Sequence, residues 1–178
     1  MSGKKGVYEK AKEEMRLSER ILGALPGFRG YKEKELRRES DKLIRNHLYQ
    51  RLSEAREDLK ETFQILSENR LQEVLTDMDH LVMRFDRVSE KINHASYGYA
   101  GFFNIVKIDE AKLDKMIQFD TDLIGEVEDI AKEAGNFKKE SSKQNFEKGR
   151  NHITNLNDML EALEETFEER HEAIEGAM

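Results

Sequence analysis

Apolar residues recur at alternating spacings of three and four along most of the chain, and this pattern restricts the fold more than any other feature. The clearest run is Leu71, Val74, Met78, Leu81, Phe85, Val88, Ile92 and Ala95, widened by Leu75 and Val82. At 3.6 residues per turn, every member falls on one helical face. A second stripe near the C-terminus, Phe146, Gly149, Ile153, Leu156, Leu160, Leu163, Phe167, Arg170 and Ile174, spans four heptads. Pro26 is the one proline, so the backbone offers almost no obligatory helix break. The spacing predicts an all-α fold: an antiparallel helical bundle, coiled-coil-like in packing, with four long helices and a shorter N-terminal one.

The punctuation sets the expected boundaries. Gly23 and Leu25-Pro26-Gly27 stop the first helix, expected over about residues 7–24. The second is expected over about 32–66 and the third over about 70–95. Ser67-Glu-Asn-Arg70 between them holds neither glycine nor proline, but the apolar phase shifts there, and Asn69 with Gln72 resembles a capping box. A reversal of the chain at 67–69 is therefore expected over one continuous rod. Asp109, followed by Glu110, reads as the N-cap of a fourth helix over about 109–134, closed by Gly135-Asn136. Ser141 with Gln144 reads as the capping box of a fifth, over about 141–174. At this length, residues 1–178 suit a single domain.

Composition removes several classes of function. There is no cysteine, which excludes disulfides and thiolate chemistry. No apolar run approaches the roughly eighteen residues that a membrane span needs. The N-terminal Met1-Ser-Gly-Lys-Lys-Gly6 has no apolar run behind it, unlike a secretory signal, so a cytoplasmic protein is the default. Charged residues make up 38% of the chain and the net charge is −7, which disfavours nucleic acid as a partner.

Ala95–Val106 stands apart from this charged background. It carries no acidic or basic residue, yet it holds Tyr97, Tyr99, Phe102 and Phe103, four of the fourteen aromatics. If the helices alternate in direction, this loop and Pro26–Tyr31 share one pole of the bundle. Phe28, Arg29, Tyr31, Tyr97, Tyr99, Phe102 and Phe103 are then the candidate partner-binding residues. The bland alternative is that the rings plug the open end of the core. A protein partner is expected, a second copy of the chain included. A membrane surface is the alternative, with the rings at headgroup level beside Arg29, Lys32, Lys34, Arg37 and Arg38.

Charge is also unevenly distributed. Arg29–Arg51 holds eight basic residues against four acidic; Asp158–Glu175 holds eight acidic against Arg170 alone. These two stretches are expected to run side by side and neutralise each other. Asp120 occupies a heptad position that reads inward, between Leu113 and Val127. Folding the third helix onto the fourth would bring it near Phe85, with Arg84 or Arg87 as its counter-ion, so Asp120, Arg84 and Arg87 are the candidate buried polar, register-setting residues. An ion pair or a raised pKa is expected at Asp120. His80, Arg87 and His94 recur every seven residues on one face, which reads as a solvated surface.

Candidate chemistry is sparse. Glu168-Glu-Arg-His171 matches the Glu-x-x-His pattern of di-metal bundles by letter, and Asp77-Met-Asp-His80 nearly does. With Phe167 and Met78 inward, however, neither pair presents both ligands to a core. A metal-dependent bundle enzyme is thus disfavoured, no metal site or cofactor is implied, and no catalytic residues are assigned. Gly23, Gly27 and Gly30 match no phosphate-loop spacing. The sequence favours a non-enzymatic interaction or scaffold module.

Overall fold

The computed structural model describes residue 16 and residues 19–95 and 108–175. Four long helices carry the architecture: α1 (Lys34–Glu68), α2 (Gln72–His94), α3 (Glu110–Ser142) and α4 (Gly149–Glu175). A 3₁₀ turn, Phe146–Lys148, precedes α4, and residues 19–24 are helical. Most of the expected first helix, and Tyr97, Tyr99, Phe102 and Phe103, lie outside the described residues. Among the described residues no helix is long and apolar enough to cross a membrane.

The heptads close into a four-helix bundle. Ile44, Leu48, Leu52, Ala55 and Leu59 of α1 meet Met78, Leu81, Phe85, Val88 and Ile92 of α2 in one buried cluster. Leu123, Val127, Ile130, Ala134 and Phe137 of α3 and Ile153, Leu156, Leu160, Leu163 and Phe167 of α4 complete it.

Direction alternates along the chain, as the spacing predicts. Tyr49 with Glu90 and Arg56 with Asp86 run α1 against α2. His152 with Glu133 and Thr166 with Glu126 run α4 against α3. The order around the bundle differs from expectation. α1 packs on α2 and α3, and α4 packs on the same two, so α2 and α3 face each other across the diagonal. Arg51 with Glu128 and Lys138 with Asp58 make α1 and α3 parallel neighbours. The reason is connection length. Tight turns force α1–α2 and α3–α4 to be adjacent hairpins. The segment between α2 and α3 spans up to about 50 Å when extended, far more than a diagonal of about 11–14 Å.

This order corrects the expected charge pairing. The Arg29–Arg51 and Asp158–Glu175 stretches sit on diagonal helices, not side by side. The acidic face of α4 is met by α2: Arg84 and Arg87 reach Glu164 at 3.6 and 3.2 Å, Arg84 reaches Glu161 at 3.7 Å, and Lys91 pairs with Glu168.

Helix ends show where glycine-and-proline punctuation misleads. Asn69 does not cap α2; its side chain donates to Ile65 O at 2.7 Å and so serves the end of α1. Leu71 N–H bonds Leu66 O and Arg70 N–H bonds Ser67 O, the 6→1 and 5→2 pair of a Schellman motif. Asn145 to Glu140 and Gln144 to Ser141 repeat it at the end of α3. The left-handed positions are Arg70 (φ 58°) and Gln144 (φ 59°), neither a glycine. The Ser141/Gln144 pair therefore ends a helix instead of starting one, and α4 begins at Gly149. Gly135 and Asn136 lie inside α3. A mid-helix glycine costs about 1 kcal/mol, while burying Phe137, the next seam residue, contributes about 1.5–3 kcal/mol, so the helix continues. Asp109 does cap α3, accepting from Ala111 N–H at 2.9 Å.

Both turns carry the left-handed penalty that glycine avoids. Arg70→Gly and Gln144→Gly are each expected to stabilise the fold by about 0.5–1 kcal/mol, read from urea denaturation midpoints at unchanged slope. A loss of stability in both variants would show that the side chains, not the backbone, hold these turns.

Candidate functional site

At the pole where α1 and α3 begin, the seams turn from apolar to charged. Stepping back from Ile44 by three and then four residues gives Asp41 and Arg37, buried at 1% and 0% exposure. Asp120 of α3 and Arg170 of α4, both at 0%, occupy the same level of the bundle. Tyr31, from the segment ahead of α1, is the fifth member.

The hydrogen bonds connect Asp41, Asp120, Arg170 and Tyr31. Arg170 Nε donates to Asp120 Oδ1 at 2.7 Å, and Arg170 Nη2 donates to Asp41 Oδ1 at 3.0 Å and to Tyr31 Oη at 3.1 Å. Tyr31 Oη donates to Asp120 Oδ2 at 2.6 Å. Arg45 Nε donates to Asp41 Oδ2 at 2.9 Å and Arg45 Nη1 to Asn93 O, the last turn of α2, at 3.0 Å. All four carboxylate oxygens thus accept a bond, and two carboxylates face two guanidinium groups. Charged groups are buried at tolerable cost only when paired and hydrogen-bonded in this way. Arg37 turns elsewhere: Nε donates to Tyr31 O at 2.8 Å and Nη2 to Lys32 O at 3.4 Å, while Ser40 Oγ donates to Gly30 O at 2.8 Å.

Burial pushes the Asp120 carboxyl above its ordinary value, against the pull of Arg170 and Tyr31, which favour the carboxylate. Burial, followed by the charge of Asp120, holds the Tyr31 phenol well above its ordinary value, so it remains an O–H donor.

The partners of Asp120 are Arg170 and Tyr31, not Arg84 or Arg87. Those two arginines lie on α2, across the diagonal, and serve the glutamates of α4. Arg170 was legible as a seam position, and a lone arginine and a lone aspartate on two seams are a signal to pair them. Asp41 follows only if the α1 stripe is continued backwards through charged letters.

Of the expected partner-binding residues, Phe28 and Tyr31 are buried at 5% and 1%, with ring centroids 5.8 Å apart edge to face. They belong to the core, a correction that follows from Tyr31 having buried partners for its hydroxyl. Arg29 is exposed. Beside it lies a groove of about 230 Å³ lined by Leu22, Phe28, Lys32, Leu113 and Ile117, with Leu22 47% exposed. Among the described residues no group of three His, Asp or Glu side chains is placed to hold a metal ion.

No family model, curated protein or solved structure matches this chain. Function has to be read from the side chains alone. A network of buried, hydrogen-bonded ion pairs suits a pin that fixes helix register.

Removing one member strands a buried charge. Arg170→Ala and Asp120→Ala should each destabilise the fold by about 3–5 kcal/mol. The double variant should cost less than their sum, measured as a double-mutant cycle in urea. Strict additivity would mean the two are not coupled. The pH dependence follows from sign. A carboxyl raised in the folded state binds its proton there first, so its contribution grows as pH falls from that raised value towards 3.8. The stability of wild type relative to Asp120→Asn should therefore rise across that window, as followed by urea titration at stepped pH.

Proposed function

We propose that this chain is a non-catalytic helical-bundle interaction module that engages a protein partner at the pole carrying Arg29, Lys32 and Leu22. The observation behind this reading is the groove there: an apolar floor of Leu22, Phe28, Leu113 and Ile117, with two exposed cations and the half-buried Asp114 at its edge. Apolar floors with a charged rim suit protein recognition, the floor supplying affinity and the rim specificity. The α2–α3 connection starts and ends at the same pole, and its sequence holds Tyr97, Tyr99, Phe102 and Phe103, the residue types that dominate binding energy at interfaces. A rigid pin of buried ion pairs beneath this surface would keep it pre-organised, which lowers the ordering cost of association.

The test is affinity capture with wild type, Arg29→Glu/Lys32→Glu and Phe102→Ser/Phe103→Ser, each checked for unchanged helical circular dichroism. Both variants should lose at least about tenfold in recovery of the partner that wild type enriches. Equal recovery by all three removes the pole as the binding surface. Light scattering on the same samples separates a second copy of the chain from a different partner.

A further inference from the structure

Residues 19–31 are attached to the bundle in a way that differs from the attachment of the helices to one another. Ile21, Leu25, Phe28 and Tyr31 are buried, and they lie along α3: Ile21 beside Thr121 and Ile124, Phe28 and Tyr31 beside Leu113 and Ile117. The segment therefore runs antiparallel to α3. Its described backbone bonds are internal, Leu25 N–H to Ile21 O and Phe28 N–H to Leu25 O. Its polar fastenings fall on three consecutive residues. Ser40 holds the carbonyl of Gly30, Arg37 holds those of Tyr31 and Lys32, and Tyr31 Oη sits between Asp120 and Arg170. Gly27 (φ 96°) and Gly30 (φ 77°) flank this clasp in backbone conformations that side-chain-bearing residues rarely adopt.

We propose that residues 19–31 form a strap that opens from α3 as one unit, with Tyr31 as the latch. The buried network divides at the phenol. The ion pairs Arg170–Asp120, Arg170–Asp41 and Arg45–Asp41 all lie within the four helices. When Tyr31 leaves, Asp120 loses a neutral donor but keeps its guanidinium, while Arg37 gives up its carbonyl acceptor on Tyr31. Releasing the strap breaks none of these three ion pairs, whereas pulling α4 away from α1 or α3 breaks a buried one. Local opening of this kind is drawn from the least strongly held contacts of a fold. The strap is the resident ligand of the α3 surface formed by Leu113, Ile117 and Ile124, and its opening uncovers that surface. The strap supplies Leu22, Phe28 and Arg29 to the groove described above, so its opening dismantles that groove.

Native-state hydrogen exchange on the full chain tests it. In wild type, amides of residues 19–31 should exchange together, faster than those of Leu48–Leu59, Leu123–Ala134 and Ile153–Leu163, and with a smaller urea dependence. Tyr31→Phe, which removes only the hydroxyl, should speed exchange in 19–31 about fivefold to tenfold, and helix amides that exchange through global unfolding by no more than that factor. Ser40→Ala, which frees the Gly30 carbonyl, should speed the same set to a lesser degree. If 19–31 and the helix interiors share one rate and one urea slope in wild type, the strap is part of the global unit and the proposal fails. No acceleration of residues 19–31 in either variant overturns the latch. Should Tyr31→Phe prove unfolded, the phenol is required by the core itself, and that too overturns it.

Discussion

The Arg170–Asp120 contact sets the terms for one end of this molecule. Two fully buried opposite charges, one on α3 and one on α4, must stay within hydrogen-bond distance or be stranded in apolar surroundings. Sliding either helix by one turn, about 5.4 Å, would separate them and bring each charge against leucine or isoleucine. Asp41 and Arg45 extend the same demand to α1 and, through the Asn93 carbonyl, to the end of α2. All four helices therefore meet at one level where the partners are unique. Elsewhere the core is mostly apolar, and apolar side chains tolerate shifts more readily because any apolar neighbour serves.

This division of labour explains the asymmetry between the two poles. At the far end, chain reversal relies on backbone geometry: two Schellman turns, each closed without glycine by a residue in the left-handed region. At the near end the consecutive helices α2 and α3 stand on opposite corners, so they do not pack as a hairpin. The buried charges supply the constraint there instead. Surface pairs such as Arg87–Glu164 add little individually. Their arrangement on α2 and α4, cation row against glutamate row, still agrees with the observed order of helices and disfavours the alternative in which α1 faces α4.

How much could be read in advance depended on the kind of interaction. Periodicity found the all-α bundle, the reversal near residue 69 and nearly every core position of α2 and α4, because burying an apolar stripe is a local property of the letters. It failed at helix ends. Glycine at 135 looked like a stop, yet Phe137 and Ser141 continued the seam; Ser141 and Gln144 looked like a start, yet they close a helix. Cap motifs are weak local signals, worth about 1 kcal/mol, and packing of one further seam residue outweighs them. Asp120 was legible as an inward carboxylate, but its counter-ion was assigned to the helix next in sequence rather than the helix next in space.

The amino-acid sequence by itself determined that the chain is helical, which face of each helix is buried, and that one carboxylate and one guanidinium occupy seam positions. These follow from spacing and from the cost of exposing apolar surface. Only the tertiary structure decided which helices are neighbours, that Arg170 and not Arg84 or Arg87 meets Asp120, and that Phe28 and Tyr31 turn inward. Those outcomes depend on which corners α2 and α3 occupy, and the number of residues between them is enough to join either neighbouring or diagonal helices.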